Sequence, residues 1–344
     1  MAGPAALGEQ AFIDLVARFA RPVRPRPVLG IGDDAAVLEL PSGVQLLLTT
    51  DLLTEGIHFK IGYTPGFLLG RKALAVNLSD VAAMGGVPHS CVVAVGLPRA
   101  MPPVYARAVA RGLADMARRS SVAIVGGDTC ASKVAFVSVA LLGFVEPKRA
   151  VRRDGARVGD AIYVTGRLGA SGAGLRILRG LRGAARRTGA APRARAAARR
   201  RAIRAHLDPT PRLKAGRALG TTGLAGAMID LSDGLWEDLP RLCRSSGVGA
   251  VILQAAVPVD RDARLLLGPE EGLRCALTGG EDYELLFTAR PRLEKHITRL
   301  GRRLELPMTR IGEIVPSRLG VRVLTREGRY RPLPAGGFRH FPSR

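Results

Sequence analysis

Six short segments of this chain set a carboxylate beside glycine or a small polar residue: GIGDDAA, TTDLLTEGIHF, NLSDVAAMGG, GGDT, IDLSDG and GGEDYELLF. They present Asp33 and Asp34; Thr49, Thr50 and Asp51, with His58 seven residues on; Asn77 and Asp80; Asp128; Asp230, Ser232 and Asp233; and Glu281 and Asp282. Oxygen donors with small neighbours are what a hard divalent cation requires, because the backbone must approach closely and Mg²⁺ keeps several of its waters. Any one of these carboxylates is an ordinary turn residue satisfying nearby N–H groups. Together they imply more. So many anions converging on one cleft would repel one another, and convergence would demand several cations, bridged by phosphates.

Neither GxxxxGK[ST] nor an HRD-type loop is present to cradle phosphate. That task falls to metals, to arginines and to the glycine-rich turn GRLGASGAG, whose Gly166, Gly169, Gly172 and Gly174 would serve helix–strand packing equally well.

The elements that must position these groups are readable from periodicity. Leu46–Thr50 predicts a buried strand running into Asp51. Gly70–Met84 predicts a helix with Leu74, Leu78 and Val81 as its apolar stripe, Asn77 and Asp80 on one face, and Gly85-Gly86 as its stop. Ser90–Leu97, Val122–Val125 and Val134–Val145 read as strands, and Gln10–Phe19 and Val104–Arg119 as helices. A composition shift over Pro147–Gly159 marks an inter-domain connection, giving domains 1–147 and 148–344. Beyond it, Ala161–Thr165 is a strand entering GRLGASGAG, which opens a helix. This alternation fits an α+β or α/β class.

A length of 344 residues, at about 150 per domain, also suggests two domains. The net charge is +23, and 12 arginines with no acidic residue between Asp160 and Asp208 supply more than half of it. The Arg/Ala-rich stretch near 181–201 reads as an exposed insertion. Nucleic acid is the partner this charge suggests. However, aromatic residues make up only 4% of the chain, with none between Tyr163 and Trp236, so sequence-specific recognition is not expected and weak, salt-sensitive adsorption is. Cys91, Cys130, Cys243 and Cys275 form no CxxC pair, and with Trp236 and Met84 they read as packing residues. The longest apolar run, Val134–Val145, is shorter than the roughly 20 residues a membrane span needs. With no secretory signal visible, a reducing cytoplasm is the expected location.

In this order, GIGDDAAVL, TTDLLTEGIHF, KALAVNLSDVAAMG, GGDT, DAIYVTGRLGASGAGL, DPTPRL, IDLSDGL and TGGEDYELLFT resemble the bacterial thiamine-monophosphate kinases, from about Gly30 to Phe341. Looser forms of some motifs recur in aminoimidazole ribonucleotide synthetases, selenophosphate synthetases and a hydrogenase-maturation protein. The resemblance implies a two-domain aminoimidazole ribonucleotide synthetase-like fold. Its N-terminal α+β domain would pair sheets into a β-barrel across a homodimer, and a C-terminal α/β domain would complete the cleft. It implies ATP-dependent phosphorylation of thiamine monophosphate to the diphosphate, with several Mg²⁺ ions. By matching motif, the metal ligands would be Asp34, Thr49, Thr50, Asp51, Asp80, Asp128, Asp230 and Asp233, and the nucleotide contacts Gly127, Asp128, Arg153 and Ser232. His58, Glu281 and Phe338 would meet the thiamine phosphate. Arg339 stands where the family usually has an acidic residue.

Such a reaction suits a site rich in Asp and poor in His. A phosphate monoester with a second pKa of about 6 is already largely deprotonated at neutral pH, so no general base is needed. The obstacle is repulsion between acceptor and donor, which cations held by Asp51, Asp80, Asp128 and Asp230 would reduce. Two alternatives are another ATP-dependent enzyme of the same superfamily, aminoimidazole ribonucleotide or selenophosphate synthetase-like, and a basic nucleic-acid-binding protein. Removing the 181–201 stretch is expected to weaken RNA adsorption and spare catalysis.

Overall fold

The computed structural model describes residues 13–14, 27–40, 43–180 and 192–333. In the first half, β1 (Ala36–Glu39), β2 (Gln45–Thr54), β3 (Val87–Leu97), β4 (Ala123–Ala131) and β5 (Phe136–Val145) form one open sheet in the order β1-β2-β5-β3-β4. Strict alternation in β5 turns Val137, Val139, Leu141 and Val145 to one face. Two helices, α1 (Gly66–Ala83) and α2 (Pro103–Arg119), belong to the same half and pack on each other. They cross so tightly that a Cβ on Gly70 would meet the Val109 carbonyl oxygen at 2.0 Å, and one on Gly112 the Phe67 carbonyl oxygen at 1.9 Å.

The second half contains β6 (Ala161–Thr165), β7 (Met228–Asp230), β8 (Val248–Leu253), β9 (Leu285–Ala289), β10 (Met308–Pro316), β11 (Val321–Leu324) and β12 (Tyr330–Pro332). They form a seven-stranded sheet in the order β12-β11-β8-β10-β6-β9-β7. Every pairing in it is antiparallel except β8 with β11. Its helices include α3 (Ala170–Leu178), α4 (Pro192–Leu207), α5 (Leu213–Thr222), α6 (Leu235–Ser246), α7 (Arg261–Leu267), α8 (Pro269–Thr278) and α9 (Glu294–Arg303).

Helix α1 joins the halves. It touches α2, β2 and β5 on one side and α5 and β7 on the other, which is why it is apolar nearly all round. Its last turn, Ala82 and Ala83, shares a core with Leu219 of α5 and Leu285 and Phe287 of β9. Among the described residues, no helix is long and apolar enough to cross a membrane.

Three elements run differently from the periodicity reading. Strand β2 continues to Thr54, so Asp51 lies within it rather than at its end, because Leu53 alternates inward in register with Asp51. Strand β4 runs through GGDT, so Asp128 is a strand residue, paired alongside β3. Residues 192–207 form a helix that packs on α3 and α7 through buried Ala198 and Ala202, while 181–191 and the predicted helix Gln10–Phe19, apart from 13–14, lie outside the described residues.

Candidate active site

Alternation along β2 puts Thr49 and Asp51 on the sheet face that carries buried Leu47 and Leu53. Over that face, α1 supplies Asp80, whose Oδ2 accepts a 2.5 Å hydrogen bond from the Thr49 hydroxyl. Asp34 arrives from the turn ahead of β1, and Asp230 from the C-terminal end of β7. Carboxylate oxygens of Asp34, Asp80 and Asp230 all lie within 4.8 Å of one another. They line a cleft of about 540 Å³ that also contains Asp51, Asp233, Arg153, Ser232, His58 and Glu281.

The electrostatic signature is that of crowded anions. Burial, with Asp233 and Asp34 as like-charged neighbours, pushes Asp51 up to about 6. Burial followed by Asp51, Asp230 and Asp34 raises Asp80 well above the usual carboxylate range, and burial with Asp34 does the same to Asp230. Partial relief comes from neutral donors and one cation. The Ser79 hydroxyl donates to Asp230 at 2.6 Å, and the Arg153 guanidinium donates to Asp34 at 2.6 Å while its backbone N–H donates to Asp33 at 3.0 Å.

The loop after β7 is built around a residue the sequence reading missed. Asp238, in the first turn of α6, accepts the N–H groups of Asp233 and Gly234 at 3.0 Å each, and Arg241 bonds both Asp233 and Asp238. An Asp five residues after IDLSD, at a helix start, was the signal for it.

His58 and Glu281 also line the cleft. His58 Nδ1 accepts the Thr54 N–H at 3.0 Å. Glu281, with φ at +66°, is tied to the β7 loop by its N–H to the Ser232 carbonyl at 2.7 Å. Its two carboxylate oxygens face Lys72 Nζ at 2.6 Å and His206 Nδ1 at 3.1 Å. Neither partner was singled out from sequence. Lys72 had a signal, since it precedes Val76, Ser79 and Asp80 at helical spacing inside an apolar run. His206 sat in the arginine-rich stretch and gave none.

The matched residues do not all converge. Thr50 borders the cleft, but its side chain alternates to the other side of β2, its hydroxyl on the Val139 carbonyl at 3.0 Å. Asp128 pairs across β3 and β5 with Leu52, so it shares that outer face and is three strand spacings away, about 14 Å. Asp128 and Gly127 are exposed on β4 and do not line the cleft. Phe338 and Arg339 lie outside the described residues. The GRLGASGAG turn holds a carboxylate of the chain itself: the N–H groups of Gly169 and Ser171 donate to Asp282 at 2.6 and 3.1 Å. A Cβ on Gly174 would meet the Ala202 carbonyl oxygen at 2.1 Å, so packing against α4 explains that glycine.

Comparison with known proteins places this arrangement. The family models described as AIR synthase related protein, N-terminal domain and C-terminal domain, match residues 32–145 and 157–324. The thiamine-monophosphate kinase of Escherichia coli strain K12 is 38% identical over 334 residues, covering 95% of this chain and 97% of its own. A solved structure described as AaThiL complexed with AMPPCP and TMP superposes with a TM-score of 0.82 at 33% identity, covering 99% of both chains. The crystal structure of thiamine-monophosphate kinase from Stenotrophomonas maltophilia K279a gives 0.75 at 37% identity, covering 96% of this chain and 98% of that one.

Proposed function

The chain belongs to the thiamine-monophosphate kinases of the AIR synthase-related family, and on that premise we propose that its cleft transfers the γ-phosphoryl group of ATP in line onto the phosphate of thiamine monophosphate, with several Mg²⁺ ions. One observation carries the reading: oxygens of Asp34, Asp80 and Asp230 within 4.8 Å of one another. Three crowded carboxylates with Thr49 beside them form a hard-oxygen donor set, which fits Mg²⁺ and poorly fits a softer metal. Bound there, Mg²⁺ supplies charge neutralisation for the phosphates and for the transferring group.

The chain's own residues have distinct tasks. Asp51 and Asp80 hold cations at the donor phosphates, while Asp34, Asp230 and Asp233 hold them toward the acceptor. Arg153 and Ser232 meet nucleotide phosphate; Gly127 and Asp128, which do not line the cleft, are not assigned that contact. His58, Glu281 and Phe338 contact the thiamine phosphate, and an aromatic face at Phe338 suits the cationic thiazolium. No general base is assigned, because the acceptor oxygen arrives deprotonated.

Thr50 and Asp128 stand on the outer sheet face, where Leu48, Leu52 and Val92 are exposed. An apolar sheet face of that kind suits pairing with a second copy, and we assign it to a homodimer barrel. The test is a coupled assay with ATP, Mg²⁺ and thiamine monophosphate, alongside mass measurement in solution. Thiamine diphosphate formation is expected; its absence with intact, Mg²⁺-loaded protein overturns the reading.

A further inference from the structure

We infer that Lys72 of α1 and His206 of α4 are positioning residues for the acceptor, acting through Glu281. This rests on the thiamine monophosphate reading above.

Lys72 is almost completely buried, 1% exposed, on a mostly apolar helix. A buried ammonium is retained only where a partner repays its desolvation. Its partner is Oε1 of Glu281 at 2.6 Å, from the other half of the chain. The second oxygen, Oε2, meets Nδ1 of His206 at 3.1 Å. Nδ1 also lies 3.1 Å from the Ser171 hydroxyl on α3, which fixes the ring. Burial and the Lys72 ammonium push His206 below its usual range, so a neutral ring with its proton on Nδ1 donates to the carboxylate.

Side chains from two separate helices, α1 and α4, thus converge on one carboxylate whose residue stands at φ +66°, a conformation uncommon for a non-glycine residue. The other polar groups around the pair are Tyr283 next to Glu281, and Ser171 and Arg179, the latter just past α3, beside His206. Glu281 is kept as a carboxylate, far below the usual range in spite of burial, because Lys72 and His206 face it. A fixed carboxylate in the cleft wall fits a cationic or amino-bearing heterocycle, while the clustered carboxylates suited to a cation are a different set, Asp34, Asp80 and Asp230. Lys72 and His206 therefore govern affinity for the acceptor and leave ATP handling alone.

The experiment uses full-length Lys72→Met, His206→Ala and His206→Asn, the last because the Asn amide reproduces the Nδ1–H donor. For each, kcat and KM are measured separately for ATP and for thiamine monophosphate, and thiamine monophosphate binding is measured by calorimetry in the presence of ADP. Because Lys72→Met leaves a buried carboxylate without its cation, Lys72→Met/Glu281→Gln serves as the neutral, foldable control. The expected result is a rise of at least about tenfold in KM and Kd for thiamine monophosphate in Lys72→Met, His206→Ala and the double variant, with KM for ATP within about twofold. His206→Asn is expected to recover most of the loss. Unchanged acceptor KM, or both KM values rising while kcat falls, with no recovery in His206→Asn, overturns the proposal while an active wild type leaves the functional reading standing. A wild type that does not phosphorylate thiamine monophosphate overturns both.

Discussion

The hydroxyl of Ser79 donates to Oδ2 of Asp230 across 2.6 Å, joining the two halves of the chain inside a cluster of like charges. Ser79 is fully buried on α1, and the adjacent Asp80 turns toward Thr49. One helix therefore delivers a metal-directed carboxylate and steadies a second one from the other domain. Replacing Ser79 with Ala removes that neutral donor and leaves Asp230 among like charges. A loss of about 1–3 kcal/mol in metal-free stability is expected, with weaker Mg²⁺ activation. Denaturant titration and Mg²⁺-dependent kinetics check it; an unchanged Mg²⁺ dependence would remove Ser79 from the site.

Asp51→Asn should separate stability from function. At pH 7 a carboxyl held near 6 against a reference of 3.8 costs the fold on the order of 3 kcal/mol, and the amide removes that cost. The metal-free variant is expected to melt higher than wild type while turnover falls by orders of magnitude. A lower melting point together with near-normal turnover contradicts the assignment.

The same shifts set a pH dependence. Asp51 and Asp33 both stand near 6, raised first by burial, so the folded state binds more protons than the unfolded state between about pH 4 and 6. Stability is fully present below the unfolded value, is lost as pH rises through 6, and is flat beyond. Mg²⁺ binds the deprotonated carboxylates, so its stabilising effect grows over the same interval. Thermal melts at pH 5 and pH 8, with and without Mg²⁺, should show the metal-dependent increment larger at pH 8. An increment independent of pH would contradict the raised values.

Much of this site was legible because strand and helix periods fix which residues share a face. Asp51 and Asp80 stood out as carboxylates on predicted elements, and GIGDDAA and IDLSDG marked chain reversals beside glycine. What periodicity could not give was partnership across long separations. Ser79 and Asp230 are 151 residues apart, and nothing local distinguishes that serine from a small helix residue. Grouping Thr49, Thr50 and Asp51 by motif also hid the alternation that sends Thr50 to the outer face. His206 was masked by composition, since its helix reads as solvated arginine and alanine until Ala198 and Ala202 are seen packed beneath it.

Gly112→Ala tests the crossing that aims α1. Its Cβ would lie 1.9 Å from the Phe67 carbonyl oxygen, a backbone atom that cannot swing aside. Helix α2 must move off α1, at an expected cost of about 1–3 kcal/mol or more. Because α1 carries Lys72, Ser79 and Asp80, activity should fall more steeply than stability when both are followed in one preparation. Wild-type melting would show that the two helices separate freely.

Charge on α4 is expected to divide by face. Arg193, Arg199 and Arg200 are exposed, whereas Ala198, Ala202 and His206 of the same helix are buried. Deleting the 181–201 stretch would take away the first ten residues of that helix and unseat His206, so catalysis is not expected to survive it, contrary to what composition alone suggests. Substituting Arg193, Arg199 and Arg200 alone with Gln should leave turnover intact. If they bind RNA phosphates, the salt-dependence slope of RNA adsorption should fall by up to about one for each arginine replaced. Binding isotherms at several salt concentrations, run beside the kinase assay, check both halves. Loss of turnover in the triple substitution would show that the outer face of α4 also serves the site.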